Sequence, residues 1–142
     1  MPHEIPSAAN FTGLPRKVLE YSEAFMQIVA RIKQPDFSDA DWQPLEKLVN
    51  VDTYTRQGVF LTDKTETIDW STYKTYITQY SGGTQWEATL RHITEKDNHV
   101  MLELEERNTR DGFTHIAKTV TTYDFDNYGK IERLEVYVMA LN

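Results

Sequence analysis

Residues 84–141 constrain the fold more than any other part of the chain. Three turn signals cut this stretch: Glu95-Lys96-Asp97-Asn98, Arg110-Asp111-Gly112 and Asp126-Asn127-Tyr128-Gly129. Glycine carries no Cβ penalty and Asn tolerates the left-handed region, so each signal suits the positive φ of a tight hairpin. Between them the side chains alternate with a period of two, which predicts four antiparallel strands with two unlike faces. Trp86, Ala88 and Leu90 oppose Glu87, Thr89 and Arg91. Val100, Leu102 and Leu104 oppose Met101, Glu103, Glu105 and Arg107. Leu134, Val136, Val138 and Ala140 oppose Ile131, Arg133, Glu135 and Tyr137. The segment 113–125 is undecided, with Ala117, Thr119, Thr121 and Tyr123 on one side and Ile116, Lys118, Val120 and Thr122 on the other.

One apolar face of such a sheet calls for a cover, and the first half of the chain supplies helices. Residues 1–13 hold Pro, Ser, Asn and Gly without a period and read as a loosely draped lead-in. Leu14-Pro15 then opens a helix over about 15–33, with Val18, Tyr21, Phe25, Ile28 and Ile32 at spacings of three and four. Ser38 and Asp39 offer caps for a short second helix ending near Leu48. Residues 51–60 read as a strand bent at Gly58, and 62–67 as a polar loop. A third helix over 69–80 stops at Ser81-Gly82-Gly83. Early helices and late strands give one α+β domain over 1–142, with a curved antiparallel sheet and the helices on one face.

Composition excludes several function classes. A formal net charge of −7 over 142 residues argues against a nucleic-acid partner, which needs clustered Lys and Arg. No apolar run approaches the roughly 20 residues of a membrane span, and no apolar h-region follows the N-terminus. Zero cysteines exclude disulfides, thiolate catalysis and thiolate metal sites. A cytoplasmic protein without a membrane partner is expected. His92 and His115 each lack a second His at ligand spacing, so neither a metal nor another cofactor is expected.

The element order resembles the nuclear transport factor 2-like superfamily. Its carriers are Asp41-Trp42-Gln43-Pro44-Leu45-Glu46-Lys47-Leu48-Val49 running into Val51-Asp52-Thr53-Tyr54, and the phrase from Tyr123 to Ile131 before the last strand. The nearer branches are the ketosteroid-isomerase-like and SnoaL-like polyketide-cyclase proteins. The resemblance implies a cone with a pocket between the helices and the concave sheet face, and dimerisation through the convex face. It also implies isomerase, dehydratase or cyclase chemistry on a hydrophobic carbonyl or hydroxyl compound. The alternative on the same fold is a non-catalytic ligand-binding or dimeric interaction module. The ketosteroid-isomerase base falls at Gln57, its oxyanion-hole acid near Thr121 and its helix-one tyrosine near Ile28. None of these matches, so that mechanism is not carried over.

Three residues could host acid–base chemistry. Asp52 stands where the short helix hands over to the first strand, either as a base or as a turn cap. Glu106 continues the apolar face of Val100, Leu102 and Leu104. It is either a buried carboxyl or the end of a strand that has run into water. His115 is the third. An apolar ligand surface is expected from Phe25, Tyr73, Tyr76, Trp86, Leu102, Leu104, Leu134, Val136 and Val138, with Thr121 at its polar margin. Tyr54 and Arg56 alternate on the first strand within reach of an anionic ligand group, although Arg56 equally suits a surface. On the outer face, Ile93, Met101, Ile116, Val120 and Tyr137 lie among Glu103, Arg107, Arg133 and Glu135. That mixture suits a self-complementary homodimer.

Overall fold

The computed structural model describes residues 4–58 and 66–142. Its helices are α1 (Gly13–Arg31), α2 (Gln43–Glu46) and α3 (Trp70–Tyr80). The strands are β1 (Thr55–Gln57), β2 (Thr67–Ile68), β3 (Gln85–Lys96), β4 (His99–Arg110), β5 (Phe113–Phe125) and β6 (Ile131–Ala140). They form one six-stranded sheet in the order β2-β1-β6-β5-β4-β3. The meander is as expected, and α1 and α3 lie on the same face. One pairing departs from the purely antiparallel expectation: β1 runs parallel to β6. The strand expected over 51–60 is shorter, because Val51, Asp52 and Thr53 form a turn. Residues 59–65, which include the rest of that strand and most of the polar loop, lie outside the described residues.

Local chemistry fixes the helix starts. Asp69 caps α3 by accepting from the Thr72 amide at 2.8 Å, which holds its carboxyl below the usual range. Ser38 opens the turn before α2 in a reciprocal capping box with Asp41, whose own amide-bonded carboxyl is likewise lowered. Trp42, Tyr54, Trp70 and Tyr73 pack beneath these helices, with Tyr54 and Trp70 edge to face at 4.9 Å. Such pairs add about 0.5–1.5 kcal/mol each beyond the area they bury. Trp70 anchors the cluster by donating its indole N–H to Glu46 at 2.7 Å.

Two β-bulges reassign side chains that simple alternation places outside. Leu90 pairs with Leu104 but His92 with Glu103, so Arg91 is the extra residue and Ile93 returns to the inner face opposite Leu102. Likewise Asp124 pairs with Arg133 and Phe125 with Ile131, so Glu132 is extra and Ile131 is fully buried. A bulge inserts one residue against a fixed partner and so reverses every side chain beyond it. Ile93 and Ile131 are therefore core residues. The undecided segment resolves cleanly: Ala117, Thr119, Thr121, Tyr123 and Phe125 face inward and are buried.

Residues 4–11 of the lead-in are anchored to the sheet edge and to α1. Glu4 exchanges backbone hydrogen bonds with Ala88 and Leu90 at the β3 edge, and Ala8 donates to Glu23 on α1 at 2.8 Å. Ala8 is buried, and Ile5 and Phe11 pack against the core. The other closure is the Asp126 turn. Asp126 accepts from the Tyr128 and Lys130 amides and from Asn50, while Lys17 on α1 donates to the Gly129 carbonyl at 2.8 Å.

Gly58 ends β1 at φ +78°, where an added Cβ would collide with the Val136 carbonyl. Gly112 has the same φ, yet a Cβ there would meet open space. Both Ala substitutions carry the left-handed penalty of about 1–2 kcal/mol. Gly58→Ala adds the clash, so urea denaturation should show it more destabilising than Gly112→Ala by at least about 1 kcal/mol. Equal losses would mean that β1 does not approach β6 this closely.

Candidate functional site

The inner face is built of cross-strand rows. Trp86, Asn108 and His115 are register partners in turn, as are Ala88, Glu106, Ala117 and Ala140. Next come Leu90, Leu104, Thr119 and Val138, then Ile93, Leu102, Thr121 and Val136. The last row runs Val100, Tyr123, Leu134, Arg56 and Ile68. Residues in register share a face, so the β1–β6 pairing turns Arg56 inward and Thr55 and Gln57 outward.

Between these rows and the helices lies a cavity of about 520 Å³. This falls within the roughly 300–1,000 Å³ typical of small-molecule sites. α1 contributes Tyr21, Ser22, Phe25 and Val29; α3 contributes Tyr73, Ile77 and Tyr80. The sheet supplies Trp86, Leu102, Leu104, Thr121, Val136 and Val138 as the apolar floor and its polar edge. Tyr80 and Val138 are each about half exposed (47% and 49%) and mark the mouth. Arg56, Tyr73 and Tyr123 mark the far end, where Tyr73 and Tyr123 are buried.

The structure brings ten of the fourteen sequence candidates to this wall: Glu106, His115, Phe25, Tyr73, Trp86, Leu102, Leu104, Thr121, Val136 and Val138. Four are elsewhere. Asp52 is exposed in the turn before β1, where its amide donates to Asn50 Oδ1, so its role is the turn and not the pocket. Tyr54 packs behind the wall in the aromatic cluster and does not line the cavity; its hydroxyl lies 3.3 Å from that of Tyr21. Tyr76 points away from the cavity and donates to Glu66 at 3.0 Å, which pushes its phenol up. Leu134, the register partner of Arg56 in the same row, is buried and does not line the cavity. His115 lines the mouth but is exposed and packs on Phe113, so it is no buried base.

Glu106 is the one carboxylate among the described lining residues. It is buried at 8% exposure, and Oε1 accepts from the Trp86 indole at 2.5 Å. Its other oxygen makes no hydrogen bond among the described residues. Thr119 Oγ1 is occluded and without a hydrogen-bond partner among the described residues, and Thr119 does not line the cavity. No group of three or more potential metal ligands occurs among the described residues.

Tyr21 and Arg56 complete the far end. A tyrosine in a helical apolar stripe reads as core, and its hydroxyl's position depends on where β1 sits. Sequence periodicity does not supply that. The Arg56 guanidinium lies 4.5 Å over the Tyr73 ring, close to the Tyr54 and Tyr21 hydroxyls. Burial pushes the Tyr21, Tyr73 and Tyr123 phenols up. The Arg56 charge opposes this in each case without reversing it.

No family model and no curated protein matches the chain in sequence. Solved structures do match in shape. An NTF2-like protein from Burkholderia pseudomallei superposes with a TM-score of 0.68 at 14% identity, over 91% of this chain and 92% of the other. An NTF2-like protein from Anabaena variabilis gives 0.60 at 13% identity, over 91% and 94%. An LEH-like epoxide hydrolase from M. tuberculosis gives 0.55 at 13%, over 84% and 83%. The chain has the nuclear transport factor 2-like α+β fold.

The raised phenols make stability fall at alkaline pH. A tyrosine whose folded pKa exceeds its unfolded one contributes fully below the unfolded value and loses that contribution as pH rises through the folded one. Tyr73, ordinarily 10.0, is pushed up to about 12, so its contribution drains between those values, on the order of 2–3 kcal/mol. Ultraviolet titration should show the exposed tyrosines of the eight ionising first and a buried set ionising only with unfolding. All eight titrating together near pH 10, with the fold intact, would contradict the buried cluster.

Proposed function

We propose that this protein binds a largely hydrophobic small molecule in the helix–sheet cavity and that Glu106 performs acid–base chemistry on its carbonyl or hydroxyl group. The carrying observation is Glu106 itself: a buried carboxylate on an apolar wall, fixed by the Trp86 indole through one oxygen and open to a ligand through the other. As a carboxylate, Glu106 can take a proton from a carbon beside a carbonyl, and as a carboxylic acid it can return one to the neighbouring oxygen. The indole donor holds the carboxylate in one rotamer, and the surrounding aromatic and aliphatic wall strengthens its electrostatic effect by excluding water. Thr121 supplies a hydroxyl for orientation. Apolar burial drives binding at about 25 cal/mol per Å² of ligand surface.

Fold neighbours support a pocket chemistry of this general kind, one of them being an LEH-like epoxide hydrolase. The single carboxylate among the described lining residues suits one acid–base group shuttling a proton, as in an isomerase, dehydratase or cyclase of the ketosteroid-isomerase-like or SnoaL-like kind. The cytoplasm remains the proposed compartment. No described helix is long and apolar enough to cross a membrane.

The convex face supports a homodimer as a further part of this reading. Met101, Tyr137 and Met139 are exposed there, beside Ile116 and Val120 and among Arg133, Glu135 and Glu103. Light scattering at tens of micromolar, roughly where weak dimers form, should give twice the 16.6 kDa chain mass. A monomer at that concentration removes the dimer.

Glu106→Gln keeps the shape and an oxygen for the Trp86 indole but cannot exchange a proton. Once a substrate is found by screening hydrophobic ketones and alcohols, the variant should lose at least about a hundredfold in kcat with KM and thermal stability little changed. Near wild-type kcat in Glu106→Gln would leave the cavity a binding site only.

A further inference from the structure

Among the described residues, the far end of the cavity holds a cation without a counter-charge. No carboxylate lies within ion-pair distance of Arg56 among the described residues, whereas Lys74 pairs with Asp39 and Glu46, and Arg107 with Glu87 and Glu105. Arg56 Nε is occluded and has no hydrogen-bond partner. The Tyr73 face and the Tyr54 and Tyr21 hydroxyls soften the guanidinium's isolation, but a ring and neutral phenols do not neutralise a charge. A buried ion is ordinarily paired, because an unpaired one loses its hydration with nothing in return. Arg56 lines the cavity, and with Nε occluded the outer edge of the guanidinium is what it offers a ligand.

We propose that Arg56 is an anion-binding subsite, and that the ligand of this cavity is an elongated hydrophobic carboxylate seated head-down on Arg56. This rests on the reading of the cavity as a small-molecule site and narrows its ligand class. A planar carboxylate accepts two parallel N–H bonds from a guanidinium edge, a geometry an alcohol or ketone cannot reproduce. The Tyr21 hydroxyl, which lines the cavity and lies 3.3 Å from that of Tyr54, adds a neutral donor.

The length of the ligand follows from the register. Arg56 shares its row with Tyr123, and Glu106 shares its row with Ala117. Six residues of β5 separate those rows, about 20 Å of strand at ~3.3 Å per residue before sheet curvature and side-chain reach shorten the gap. The head therefore binds at the closed end while the body runs over Leu102, Thr121 and Val136 towards Glu106. The reacting carbonyl or hydroxyl lies well down the chain from the carboxylate. The apolar span between them fits an alkyl or aryl chain and excludes a small polar acid such as citrate, whose further carboxylates would find no cation there.

Calorimetric titration with decanoate and its neutral isostere decanamide tests this. Wild type should bind decanoate at least roughly tenfold more tightly, the scale of one charge-assisted hydrogen bond. Arg56→Met should remove that preference while holding decanamide affinity within about threefold. Arg56→Lys, which keeps the charge, should retain part of it and guards against a folding defect in the Met variant. Equal affinity of wild type for both probes, or an undiminished preference in Arg56→Met, overturns the anion subsite and leaves the hydrophobic pocket standing. Binding of neither probe to wild type overturns both.

Discussion

The parallel pairing of β1 with β6 is the contact on which the site depends. It involves three residues, Thr55, Arg56 and Gln57, set against Arg133, Leu134 and Glu135. A one-residue slip would send Arg56 to the outer face and bring Thr55 or Gln57 inward. Several constraints oppose such a slip. Gly58 lets the chain pass close over Val136, and Asn50 and Leu48 clamp Ile131 through backbone hydrogen bonds at 2.8 and 2.9 Å. The turn around Asp126 binds Asn50 from the other side. The short strand is thus held at both ends by elements far away in sequence.

From that register the polarity of the cavity follows. Its closed end lies where β1, β6 and β5 meet beneath α1 and α3, so the aromatic rings covering the cone also surround the buried guanidinium. Its mouth lies at the opposite ends of β4, β5 and β6, where Ala140, Asn142 and Arg110 are exposed. Glu106 sits between these, close enough to the mouth for a substrate's distal part to reach it and deep enough to be shielded. Among the described lining residues, the shielded cation Arg56 at the closed end and the carboxylate Glu106 nearer the entrance, where Arg110 is exposed, give the cavity a direction, and an asymmetric ligand would be read along it.

Much of this was legible in the residues. The period-two alternation, the Asp-Gly and Asn-x-Gly turns and the Pro15 helix start carry the meander and α1 directly, because each reflects local backbone or burial chemistry. The apolar wall follows from the same alternation, which also turns Glu106 inward. What alternation could not show was where it breaks. Arg91 and Glu132 look like ordinary outward residues, yet as bulged positions they return Ile93 and Ile131 to the core. Nor could it show the inward turn of Arg56, which is set by a parallel pairing with a strand almost 80 positions away. Asp52 shows an ambiguity that local pattern leaves open: a carboxylate at an element junction suits a base or a turn, and the structure sets it exposed in the turn before β1. The lead-in lacked periodicity because its anchoring uses backbone groups at the β3 edge, which leave no side-chain pattern.

A hydrophobic ligand in the cavity lies, on this reading, against Glu106 and its indole partner. The chain has three tryptophans, of which Trp86 alone lines the cavity, while Trp42 and Trp70 belong to the cluster under the helices. Nitrogen–proton correlation NMR during a decanoate titration therefore reads the site directly. The Trp86 indole resonance should move saturably while those of Trp42 and Trp70 stay nearly fixed. A Trp86 resonance that does not move, or three indoles shifting together without saturation, would contradict it.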